Sequence, residues 1–118
     1  SYASAYDKLN SSFAGKGVCL MKYTGARGKG GCNDANSEFF AEVTRMFDKK
    51  AIVWQTGELG RVDLGGGGTI AVYMANLGMN VIDCGVPVLS MHSPLEVTSK
   101  ADVYCTYAGF KAFLENIQ

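Results

Sequence analysis

Apolar residues fall in short blocks separated by polar or glycine-rich segments, and the blocks alternate between strand-like and helix-like spacing. Residues 1–16 are polar and irregular, with one helical turn at most. Val18 to Tyr23 is a compact apolar run bounded by glycines, which predicts a buried strand. Thr24 to Cys32 holds four glycines and two cations and predicts a mobile loop. Asn33 or Asp34 then caps a helix over Asp34 to Asp48, whose apolar stripe is Ala35, Phe39, Phe40, Val43 and Phe47. Ala51 to Gln55 reads as the next strand. A long connection over Thr56 to Gly68 ends in Gly65, Gly66, Gly67 and Gly68. Thr69 opens a second helix with Ile70, Tyr73, Met74 and Leu77 on one face, and Gly78 stops it. Met79 to Asp83 and Val86 to Met91 are further extended runs, the second leading to His92. Pro94 breaks the chain. Ser99 with Asp102 three residues on resembles a capping box for a last helix that runs to about Glu115. Its predicted inward face is Ala101, Tyr104, Cys105, Ala108 and Ala112.

Strands that alternate with helices argue for an α/β fold, a three-layer sandwich with a mixed, largely parallel sheet. With 118 residues, no internal repeat and no long linker, residues 1–118 form a single domain or a fragment of one. The chain opens at Ser1 without a methionine, which points to a fragment of a larger protein.

Composition narrows the functional classes. Hydrophobic residues make up 47% and charged residues 19%, which excludes a disordered charged tail. Eleven basic and eleven acidic groups cancel, so bulk attraction to nucleic acid or to an anionic membrane is not implied. No apolar run approaches the ~20 residues that span a bilayer. The charge is uneven, however. Residues 1–31 hold five basic groups and one acid, so this third could face an acidic ligand; uneven surface charge is the plainer explanation. Cys19, Cys32, Cys84 and Cys105 form no Cys-x-x-Cys pair. They read as free thiols in a reducing cytoplasm rather than as a zinc ribbon or a disulfide framework.

Two places carry candidate chemistry. The Gly65–Gly68 run before a helix lets backbone N–H groups approach a ligand, and it predicts a positive φ or a close approach at Gly67. It lacks the lysine of a phosphate loop and the third glycine of a dinucleotide fold, so nucleotide binding is the weaker alternative. His92 is the sole histidine and follows a strand, where α/β proteins gather ligands; a lone histidine is also commonly structural. Glu58, Asp63, Asp83 and Cys84 are the nearby candidates to assist a metal, but their spacing matches no metal motif. There is no Gly-x-Ser-x-Gly elbow, and no catalytic residue is assigned.

Gly57 to Asp63, then Gly65 to Ala71, then Val81 to Pro94 with Glu96, Ser99 and Lys100, resemble the aspartyl aminopeptidase / aminopeptidase I family of zinc peptidases, closest to bacterial members. The similarity runs from about Val18 to the end of the chain. It implies a binuclear zinc exopeptidase in which two metal ions activate a bridging water and a glutamate is the general base. By this resemblance the chain is the C-terminal portion of a zinc-peptidase-like catalytic domain. His92 matches the final metal ligand. Lys22 resembles a lysine that meets the substrate in some members, where it would supply a point charge to an acidic side chain or a carboxylate. Gly67, Gly68 and Thr69 would line the substrate pocket. The other metal ligands and the general base would lie upstream of Ser1, so the 118 residues alone should be inactive. The implied partners are a peptide substrate, acidic at its N-terminus in many members, and further copies of the enzyme. The implied cofactor is zinc and the implied location cytoplasmic. The rival readings are an anion- or nucleotide-binding module at the Gly65–Gly68 helix start, and a structural piece without chemistry of its own.

Overall fold

The computed structural model describes residues 7–26, 30–58, 60–61 and 66–116. Its axis is β1 (Val18–Met21), in which Val18 and Leu20 are fully buried on one face and Cys19 is buried on the other. β1 is central in a three-stranded sheet, between β4 (Trp54–Thr56) and β5 (Asp83–Gly85). The β1–β4 pairing is parallel, with Val18 opposite Trp54. The β1–β5 pairing is antiparallel, with Met21 opposite Asp83, so the sheet is mixed.

Helix α1 (Ser37–Lys49) lays Val43 and Phe47 over Val18 and Leu20. Helix α3 (Lys100–Asn116) packs beside it, with the Phe39 and Phe113 rings edge-on at 6.3 Å. Burying a side chain such as Phe47 stabilises the fold by roughly 1.5–3 kcal/mol. Helix α3 comes this close because Gly109 faces the Phe47 ring; a Cβ there would sit 2.9 Å from Cζ. On the other face of the sheet, Cys19 meets Ser12 and Gly57. The remaining elements are the β2 (Tyr23–Ala26) and β3 (Gly30–Asp34) hairpin, α2 (Ala71–Asn76), and the β6 (Val88–Leu89) and β7 (Val97–Thr98) pair.

Several local expectations change. Thr24 to Cys32 is largely a β-hairpin rather than a loop, although Arg27 to Lys29 at its tip lie outside the described residues. Helix α1 starts three residues later than the pattern predicts. Asn33 is buried and donates to the Val81 carbonyl, and Asp34 pairs with Lys22, so neither is free to cap. Asn36 caps instead, its Oδ1 accepting from the N–H groups of Glu38 and Phe39 at 2.9 and 3.1 Å. Asp102 does not close a capping box. Its carboxylate accepts from the Gly15 and Gly17 N–H groups, and it is 1% exposed. The inward face of α3 is accordingly Asp102, Thr106, Gly109 and Ala112, and Tyr104 is 69% exposed. The apolar face of α2 is also turned outward: Tyr73 is 71% and Leu77 76% exposed.

Candidate active site

The site grows from the end of β1. Met21 is the ladder partner of Asp83, and the chain bends at Lys22 before β2 begins. Thr24, buried on β2, donates its hydroxyl to Asp83 Oδ2 at 3.3 Å. Thr69 donates to the same oxygen at 3.0 Å and accepts from the Ala71 N–H at 3.2 Å. The Gly25 N–H donates to the Gly67 carbonyl at 3.1 Å. Asp83 and the β2–β3 hairpin therefore fix the glycine turn: Gly67 is bonded to Gly25, Gly68 lies against Gly31 and Thr69 is bonded to Asp83, while Lys22 adjoins this junction through the backbone between Met21 and Thr24. Asp83 organises this junction, a role sequence reasoning missed. Its signal was a single carboxylate inside the apolar run from Val81 to Val86.

The glycine expectation needs correction. Gly67 has no positive φ, and a Cβ there would meet nothing within 4 Å. The close approach is at Gly68, where a Cβ would fall 2.8 Å from the Gly31 carbonyl oxygen. The positive φ, +82°, belongs to Gly66. Gly65 lies outside the described residues.

Lys22 is not a free cation: its ammonium donates to Asp34 Oδ1. Tyr23 is the ladder partner of Asp34, and the Ala35 N–H donates to the Lys22 carbonyl at 2.7 Å, so the backbones under this ion pair are tied together.

His92 stands on an exposed turn between β6 and β7. Ser90 and His92 both take left-handed φ values, +60° and +67°. Each costs on the order of 1–2 kcal/mol in a residue other than glycine. The turn is held by bonds from the Ser93 N–H and hydroxyl to the Ser90 carbonyl at 3.0 and 2.5 Å. Glu96 Oε1 accepts from the His92 N–H at 2.5 Å. Glu96 is a second residue whose role was not legible beforehand. Among the described residues the imidazole itself makes no hydrogen bond, so its nitrogens remain available to an incoming group. An imidazole is a borderline donor of the kind that suits zinc. It fits as a single ligand: among the described residues no group of three or more His, Cys, Asp or Glu side chains converges. Glu58, Asp83 and Cys84 do not join it, and Asp63 lies outside the described residues.

A cavity of about 210 Å³ between α1, α3 and residues 79–84 is lined by apolar side chains, among them Leu20, Phe47, Ile82, Phe110 and Phe113. It contains none of the site residues. Cys84 borders it, and burial, with the nearby Cys19 and Asp83, pushes the Cys84 thiol up to about 12. Burial also raises Cys19, against a hydrogen bond with Ser12. All four cysteines are free thiols.

The described residues thus combine a mixed α/β sheet with an exposed histidine turn and a packed glycine turn at strand ends. The chain belongs to the aminopeptidase I zinc metalloprotease family, M18, whose model matches residues 1–114. It is 56% identical over 115 residues to the probable M18 family aminopeptidase 1 of Clostridium acetobutylicum, covering 98% of this chain and 25% of that one. It is 47% identical over 116 residues to the Thermotoga maritima counterpart, covering 98% and 26%. Among solved structures, the Thermotoga maritima M18 aminopeptidase superposes with a TM-score of 0.91 at 46% identity, over 98% of this chain and 26% of that one. Aminopeptidase I of Clostridium acetobutylicum gives 0.89 at 56% identity, over 98% and 25%. The chain thus spans about a quarter of the length of the relatives it matches.

Proposed function

We propose that these residues form the C-terminal part of the catalytic domain of a zinc aminopeptidase that removes N-terminal residues from peptides. The observation that carries this reading is the His92 turn. Two left-handed residues in an exposed segment are an energetic cost with no packing return, and strain of this kind persists where a site needs a side chain held in one direction. His92 is then one ligand of a two-zinc centre, and zinc supplies Lewis acidity and an activated water. The other ligands and the general base belong to the rest of the catalytic domain. Lys22, Gly67, Gly68 and Thr69 line the substrate side, with Asp83 holding Thr69 and Thr24 in place. The isolated chain does not hydrolyse peptides.

The enzyme assembles with further copies of itself, a reading supported by the apolar residues exposed on α3. Four free thiols support a cytoplasmic location. Among the described residues no helix is long and apolar enough to cross a membrane. The anion-binding alternative finds little support. Helix α2 has only six residues, and the Thr69 hydroxyl before it is already bonded to the Asp83 carboxylate, a like charge to an incoming anion.

The test is a chimera in which these 118 residues replace the matching quarter of the Clostridium acetobutylicum enzyme. His92→Ala should lower zinc content and abolish most turnover while leaving the metal-free melting temperature nearly unchanged. Normal zinc content with a clear loss of metal-free stability would reject His92 as a ligand.

A further inference from the structure

We propose that Asp34 sets the substrate preference of this site: by holding the Lys22 ammonium, it turns the enzyme away from peptides with an acidic N-terminal residue and toward neutral ones. This rests on the reading that Lys22 faces the substrate.

The pair is built into the fold rather than formed by two wandering side chains. Asp34 lies at the end of β3, opposite Tyr23 in the ladder, directly after the buried Asn33. Asn33 is anchored to the Val81 carbonyl at 3.3 Å, and Ala35 to the Lys22 carbonyl. Two residues on, Asn36 caps α1. The Asp34 backbone is thus fixed on both sides, and its carboxylate reaches the ammonium across the bend. Both side chains stay open to solvent, Lys22 at 43% and Asp34 at 65%, so an arriving group can reach either one.

An acidic side chain that approached Lys22 would meet a cation already neutralised by its neighbour. It would also stand beside the Asp34 carboxylate. Two like charges about 4 Å apart repel by ~1 kcal/mol in water and more near a protein surface. The Asp34 charge thus offsets the pull of Lys22, and removing it should favour an acidic substrate about fivefold or more. A neutral side chain incurs no such penalty and needs no cation.

The test uses the same chimera with glutamyl and leucyl p-nitroanilides, read as the ratio of kcat/KM for the two. The unsubstituted chimera should prefer the leucyl substrate. Asp34→Asn keeps shape and hydrogen bonding but removes the charge, and should raise the glutamyl-to-leucyl ratio about fivefold or more. Asp34→Glu, which keeps the charge, should leave the ratio as it was. Adding Lys22→Met to Asp34→Asn should remove the gain. A chimera that prefers the glutamyl substrate overturns the proposal. So does an Asp34→Asn ratio that stays put while Lys22→Met moves it, and in that case Lys22 keeps its place at the substrate. If neither substitution moves the ratio, Lys22 does not face the substrate and the underlying reading falls as well. Should turnover be too slow to measure, calorimetric binding of glutamyl and leucyl hydroxamates to the zinc-loaded chimera gives the same ratio, judged the same way.

Discussion

Asp102 gives the sharpest test of how this fold is held together. Its carboxylate is buried, and its two oxygens accept from the Gly17 N–H at 2.8 Å and the Gly15 N–H at 2.7 Å. These bonds tie the segment that leads into β1 to the first turn of α3, across more than eighty residues of sequence. Hydrogen bonds to a charged group contribute about 1.5–3 kcal/mol each. Asp102→Ala removes both and leaves the buried Gly17 donor unpaired. The turn cannot easily move to find water: Gly17 has φ +89°, and a Cβ there would lie 2.1 Å from the Val53 carbonyl oxygen. With the Gly15 bond discounted because it is only part-buried, the expected loss is about 3–5 kcal/mol. Asp102→Asn keeps one acceptor and points an amide N–H₂ at the other donor, so about 2–3 kcal/mol is expected. Urea unfolding of the 118-residue chain measures both values. Hydrogen exchange at Gly17 reports the local part, and it should speed up in both variants. If Asp102→Ala costs less than about 1 kcal/mol while Gly17 exchange stays slow, another acceptor satisfies that donor and the clasp does not exist.

Two further predictions concern thiol chemistry and the glycine turn. Cys84 is raised from near 9 to about 12, chiefly by burial. The unfolded chain therefore releases the proton first as pH rises. The Cys84 contribution to stability is intact below about pH 9 and is lost between about pH 9 and 12. Unfolding measured across that range should show the decline in the parent chain and less of it in Cys84→Ala; equal slopes would contradict the assignment. At the turn, Gly68→Ala should cost about 1–3 kcal/mol because the new Cβ meets the Gly31 carbonyl. Gly67→Ala, in open space, should be neutral or stabilise by up to about 1 kcal/mol. A larger loss at Gly67 than at Gly68, measured by thermal unfolding, would reverse this account of the turn.

The parts of the fold that could be read from the sequence are those set by local periodicity. The buried strand at Val18, the Val43 and Phe47 stripe and the Gly78 stop follow from spacing and residue type alone, and the structure has all three. What could not be read depends on partners far away in sequence. Asn33, Asp34 and Asn36 are equally good caps by residue type, and only the tertiary contacts of the first two leave the cap to the third. Asp102 looked like a local cap because the tertiary bonds to Gly15 and Gly17 leave no local trace. The same limit applies to the site. Glycine clustering marked the turn, but which glycine is pressed against backbone depends on where the β2–β3 hairpin lies.

The two outward-turned apolar faces show what periodicity does report. On α2, Ile70, Tyr73, Met74 and Leu77 follow helical spacing without a gap, yet all four are exposed. On α3, the Gly109 and Ala112 side meets α1, while Val103, Tyr107 and Leu114, also at helical spacing, are exposed. A helix that is apolar all round is one that packs on two sides. The pattern thus records a selection for burial, whether by further copies, as proposed for α3, or by the rest of a catalytic domain. This chain spans about a quarter of its M18 relatives, so most of the surface that could cover such faces in those proteins comes from sequence with no counterpart here. The His92 turn falls under the same logic. It lies beside exposed Leu89, Met91 and Leu95 and carries its own strain. If His92 is the zinc ligand proposed above, its strain is offset by the metal bond, and a His92→Gly variant would relieve the strain only by giving up the metal.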